Sequence, residues 1–156
     1  MRVYRIEKKE FVSTTLEGIG SAKIGGRWNN KGVYMCYASQ YRSLALLEVA
    51  VHLDINNELP TDRMIVEIEI PDELVVQKIS KQQLDNFSDT WHFLPPSEDS
   101  KYFGSRLILQ KEAVAYMVPS VIVQDEFNVL IDPNHTDIKK VKVIGYKAID
   151  IDQRLI

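Results

Sequence analysis

A glutamate sits where the surrounding pattern asks for another leucine. From Gly25 to Glu48 the chain reads GGRWNNKGVYMCYASQYRSLALLE. A double-glycine turn presents Arg27, and the β-branched and aromatic run Val33–Ala38 reads as a strand. A helix then spans Gln40 to Asp54, with Ser39 placed to cap its first turn. Leu44, Leu47 and Val51 form one stripe of that helix; Leu46, Val49, Ala50 and Leu53 form the next. An arc this wide predicts a helix buried on most sides. Glu48 lies on the arc beside Leu47. A carboxylate there costs free energy unless it is paired or used.

Both uses stay open from the residues. Pairing with Arg27 or Arg42 is the structural reading. The functional reading is a carboxylate that stabilises positive charge at a sugar carbon, or acts as a base. Arg27, held by its glycine turn, suits bidentate phosphate recognition, or it is a surface arginine stacked on Trp28. Tyr34 and Tyr37 are three apart and face opposite sides of an ideal strand. At most one of them lines a site with Arg27, where it would offer a stacking platform for a planar ring; two core tyrosines are the alternative. Ser120, after Pro119 at a strand start, suits contact with a phosphate or ribose. It lacks a local base and a nucleophile elbow.

The remaining sequence frames this unit. At 156 residues with 45% hydrophobic and 26% charged content, the chain supports one domain (1–156) with a continuous core. A net charge of −3 argues against direct nucleic-acid binding, which needs a basic surface. Cys36 is the only cysteine, so there is no disulfide framework; it reads as a buried small hydrophobe. The N-terminus lacks a signal-peptide core, and no apolar run reaches the ~18 residues of a membrane span. A cytoplasmic protein is expected. His52, His92 and His135 show no metal spacing, so no metal site is expected. His52 reads as a helix-surface or packing residue, and His135 as a neighbour of the site. There is no P-loop and no strand-linked G-x-G-x-x-G.

Short strands are expected at Val3–Ile6, Met64–Ile70, Leu74–Ile79, Val121–Val123, Phe127–Ile131 and Val141–Ile144. The run Met64–Ile70 alternates, with Met64, Val66, Ile68 and Ile70 inward and Glu67 and Glu69 outward. Thr15–Gly26, with four of the seven glycines, reads as a loop. Ser80–Phe87 is a polar helix or turn, and Tyr102–Glu112 is helical. Asp89–Ser100, with two prolines, is an irregular segment and a candidate lid. Strands and helices do not alternate regularly, so the fold class is α+β: a small mixed or antiparallel sheet core with flanking helices.

These pieces, in this order, resemble the RES-domain family, named for an arginine, a glutamate and a serine. The matching elements are G-x-RWN-x-x-G (Gly25, Arg27, Trp28, Asn29, Gly32), Y-x-S at Tyr37–Ser39 and SLALLEV at Ser43–Val49. VPS at Val118–Ser120 and NVLIDPNH at Asn128–His135 complete the match. Asp132 departs from it, standing where the family commonly has asparagine before the proline. The resemblance implies an ADP-ribosyltransferase-like fold and a toxin of a type II toxin–antitoxin pair. Such a toxin depletes NAD by cleaving the nicotinamide–ribose bond, by hydrolysis or phosphorolysis. The alternatives are transfer of ADP-ribose to a protein, or a non-catalytic nucleotide-binding module. NAD would be substrate, not cofactor, with inorganic phosphate an optional co-substrate. Arg27, Tyr37, Glu48 and Ser120 would be catalytic, with NAD held by Arg27, Trp28, Tyr37, Ser120 and Asn128. The implied partner is an Xre-type helix-turn-helix antitoxin that covers the active site, with a homodimer an option within the complex.

Overall fold

The computed structural model describes residues 1–53 and 59–155. Seven strands form one sheet: β1 (Arg2–Lys8), β2 (Cys36–Ser39), β3 (Arg63–Glu69), β4 (Val76–Lys78), β5 (Ala115–Pro119), β6 (Phe127–Ile131) and β7 (Lys142–Ala148). Their spatial order is β4-β5-β6-β2-β1-β3-β7. Every pairing is antiparallel except β4 with β5. The helices are α1 (Ile19–Ile24), α2 (Arg42–Ala50), α3 (Lys81–Phe87) and α4 (Glu98–Gln110), with a 3-10 segment at Lys9–Glu17. This is the expected α+β class.

Side-chain alternation divides the core between the two faces of the sheet. Cys36 and Ala38 of β2, Ala115 of β5, and Val129 and Ile131 of β6 share one face with Val3, Val66 and Ile68. Tyr116, Val118 and Leu130 share the other with Trp28, Trp91, Leu84 and Ile108, which belong to the helical side. Ile65, on the opposite face of β3 from Val66 and Ile68, is buried as well. The simple alternation read from Met64–Ile70 misses that second face.

Several local expectations give way to longer-range partners. Ser39 does not cap α2. It closes β2, and Tyr41 takes the N-cap position without a side-chain bond. The helix is shorter than predicted, and Asp54 lies outside the described residues. It is also less enclosed: Leu44, Ala45 and Ala50 are buried, whereas Val51 is exposed. Thr15–Gly26 is not all loop, since α1 forms within it after Gly18 turns left-handed. Strand β5 occupies Ala115–Pro119, and Val121–Val123 is a turn. Helix α4 starts at Glu98, where Ser97 accepts from the Ser100 amide and two acidic residues occupy the first turn. That start trims the irregular segment to Asp89–Ser97. Helix α3 begins where Ser80 and Gln83 form a capping box. Strand β7 runs to Ala148 along the sheet edge and leaves Ile144 and Tyr146 exposed, so it closes less of the core than expected. No described helix is long and apolar enough to cross a membrane.

Candidate functional site

The site gathers where β2, β5 and β6 come together beneath α2. Ser39, Asn128 and Val118 sit side by side in register across three strands. The chain leaves β5 at Ser120, and α2 carries Glu48 over this end of the sheet. Asn128 donates Nδ2–H to Glu48 Oε1 at 2.5 Å, and the Ser120 hydroxyl donates to the same oxygen at 3.3 Å. Neither donor carries charge. Glu48 Oε2 has no hydrogen-bond partner among the described residues.

Ser120 is buried, and its oxygen accepts from the amides of Ile122 (3.0 Å) and Val123 (3.1 Å). With both lone pairs engaged, its single proton is directed at Glu48. That geometry makes it a donor to the carboxylate, with no free lone pair left for nucleophilic attack.

Arg27 is carried on a turn fixed from within. Gly26 N–H bonds Asn29 O at 3.0 Å. The fully buried Asn29 side chain donates to the carbonyls of Ser21, Asn30 and Val33. Tyr37 stands under this turn. Its hydroxyl donates to Asn29 Oδ1 at 2.6 Å and accepts from the Trp28 amide at 3.0 Å. A Cβ at Gly26 would lie 2.8 Å from that hydroxyl, so only glycine lets the turn sit so close. Burial pushes the Tyr37 phenol well above the usual tyrosine range. The Trp28 amide bond and the Arg27 and Arg5 charges pull in the other direction.

The Arg27 side chain reaches across to the segment before α4, where Nη1 donates to Trp91 O (3.1 Å) and Phe93 O (2.9 Å). Desolvation lowers its pKa, while the charge of Glu48 and then Tyr37 raise it. Arg27 and Glu48 thus lie within electrostatic reach of one another across the site. One guanidinium nitrogen is anchored by carbonyls, and Nη2 and Nε have no hydrogen-bond partner among the described residues, which leaves them available to grip a phosphate.

The predicted residues fall into different places. Arg27, Glu48, Ser120 and Asn128 carry polar groups into this region. Trp28 does not: it is 2% exposed and stacks on Trp91 with centroids 6.1 Å apart, so it belongs to the core beneath the turn. A ligand has no access to it, and Arg27 is not stacked on it. Tyr37 spends its hydroxyl on the Arg27 turn, a supporting role distinct from the ring platform expected. Arg42 is not a partner of Glu48; it pairs with Glu67 at 2.6 Å over the Tyr4 ring. His52 lies on the surface, its ring nitrogen against Glu48 O. His135 lies beyond the far end of β6 from Asn128, bonded to the Asp137 amide, and not beside the site. Sequence reasoning also missed Asn29, Ser39 and the carbonyls of Trp91 and Phe93. For Asn29, the signal was an amide between a tryptophan and a glycine-bounded turn, where caps and Asx turns concentrate. Backbone carbonyls leave no sequence signal.

Comparison with known proteins places this site in a family. The RES domain model matches residues 2–154, and the chain belongs to that family. The Prs ADP-ribosylating toxin of Sphingobium sp. (strain YBL2) is 37% identical over 150 residues, covering 96% of this chain and 92% of the relative. Toxin Res of Photorhabdus laumondii subsp. laumondii is 32% identical, covering 100% and 97%. Among solved structures, the M. tuberculosis MbcT–MbcA toxin–antitoxin complex superposes with a TM-score of 0.67. It covers 99% of this chain and 85% of that one at 16% identity, a likeness of fold.

Proposed function

We propose that the protein is the toxin of a toxin–antitoxin pair and cleaves the nicotinamide–ribose bond of NAD. The observation that carries this reading is the Glu48 carboxylate, gripped on one oxygen by two neutral donors and placed within electrostatic reach of Arg27. The glycosidic bond of NAD breaks to neutral nicotinamide and a cationic ribosyl centre, so no strong acid is needed at the leaving group. A fixed carboxylate stabilises that cation most where water is scarce. Arg27 takes the pyrophosphate. Ser120 and Asn128 hold Glu48 and border the ribose. Water as acceptor gives ADP-ribose; phosphate gives the corresponding sugar phosphate.

A second reading, transfer of ADP-ribose to a protein, is favoured by the name of the 37% identical relative. The same pocket serves both, since only the acceptor differs. The partner in this reading is an antitoxin, which the neighbouring toxin–antitoxin complex supports; that it is of the helix-turn-helix Xre class is part of the proposal. The deciding experiment incubates purified protein with NAD, with and without phosphate and cell extract. Free nicotinamide without extract supports NAD cleavage, and ADP-ribose on an extract protein alone supports transfer. If neither forms under any condition, the enzymatic reading fails.

A further inference from the structure

Ser39 is 4% exposed at the end of β2, and its hydroxyl donates to Asn128 Oδ1 at 2.8 Å. It is spent neither on a helix cap nor on backbone. Its register partner Asn128 turns Nδ2 toward Glu48. A carboxylate only accepts, so it takes the N–H side of the amide and leaves Oδ1 pointing away. In this enclosed setting that oxygen needs a donor, and Ser39 supplies it.

We propose that Ser39 is a positioning residue for the NAD-cleaving carboxylate. Resting on the reading of Glu48 given above, it locks the Asn128 amide, so that Asn128 and Ser120 together fix Oε1 and present Oε2 to the substrate. The terminal torsions of asparagine and glutamate are broad, and neither carboxylate nor amide holds one orientation by itself. Ser120 is already saturated by two backbone amides and needs no further support. Asn128 has no such anchor: the bond from Ser39 is what fixes its far side. Catalytic groups tolerate displacements of only ~0.5 Å, so loosening this amide reduces turnover while leaving the NAD-gripping arginine in place.

The test has two readouts. On the NAD-free protein, the Asn128 side-chain amide resonance reports its bond to Glu48 without reference to activity. Steady-state NAD cleavage reports kcat and KM. Ser39→Ala is expected to shift the amide resonance toward that of a solvent-exposed asparagine. It lowers kcat about tenfold with KM within about twofold. Ser39→Thr, which keeps the hydroxyl on a strand residue, restores both. Should Ser39→Ala not fold, Ser39→Cys, close in size and a weak donor, is measured with the same expectation. An unmoved amide resonance overturns the proposal, as does a moved resonance with unchanged kcat. A wild type that consumes no NAD defeats the functional reading itself, and the resonance then still decides whether Ser39 holds Asn128.

Discussion

Glu48 is the residue on which chemistry and stability meet. Both of its hydrogen-bond donors, Asn128 and Ser120, are neutral, and in the proposed reading its carboxylate faces the substrate. Glu48→Gln retains shape and the Asn128 and Ser120 bonds but loses the negative charge; NAD cleavage is expected to fall at least ~100-fold. Nicotinamide release measured by chromatography checks it, and wild-type turnover in the variant excludes Glu48. Tyr37 shows the opposite use of a polar group, since its hydroxyl is consumed by structure. Its folded pKa is raised by burial. The stability it contributes is therefore fully present below the ordinary tyrosine value of ~10 and declines as pH rises above it, where the unfolded chain releases the proton first. Tyr37→Phe removes one late-ionising phenol from the alkaline absorbance titration. At neutral pH it costs about 1–3 kcal/mol in denaturant unfolding, because Asn29 Oδ1 and the Trp28 amide lose their partner.

At the scale of elements, what could be read in advance depended on how local the cause was. The helix at Ser80–Phe87, expected as a polar helix or turn, and the strand at Phe127–Ile131 follow from neighbouring residues, and the structure has both. The start of α4 was missed although Ser97, Glu98 and Asp99 carry a local N-terminal signal, because the prolines before them drew the boundary too late. The fate of Ser39 was illegible, since its competitor for a local cap is Asn128, far along the chain. Gly104 is the same kind of case. Inside a helix it looks like a weakness, yet a Cβ there would come 2.1 Å from Trp28 O, so α4 presses directly on the Arg27 turn. Gly104→Ala is expected to lower stability by about 1–3 kcal/mol despite its better helix propensity. Displacing that turn also raises KM for NAD. A more stable variant with unchanged KM in thermal melts and kinetics would show that α4 does not set the turn.

For the whole molecule, the site exists only when distant parts of the chain are folded together: the Arg27 turn, α2, the end of β5 and the start of β6. The sequence carried Glu48 as a candidate because it breaks an apolar pattern, Arg27 because a glycine turn presents it, and Ser120 because of its place after Pro119 and the family resemblance. It could not show that Trp28 turns inward, since burial belongs to the packing of α4 and Trp91 around the turn. A site so distributed couples ligand binding to global unfolding, because the unfolded chain cannot bind. Glu48→Gln keeps the pocket while stopping turnover, which allows intact NAD to be used as the probe. At NAD near 100 times its dissociation constant, linkage adds about 2.7 kcal/mol to the stability of this variant. For a chain of this length that is a rise of about 5–10 °C in Tm. Arg27→Lys, introduced into the same background, replaces a fork by a point charge and shrinks the shift at equal NAD. Melting curves across an NAD series measure both. Absence of any NAD-dependent rise in Glu48→Gln would remove NAD from the pocket. An undiminished rise with Arg27→Lys would take Arg27 off the phosphate and leave the rest of the reading standing.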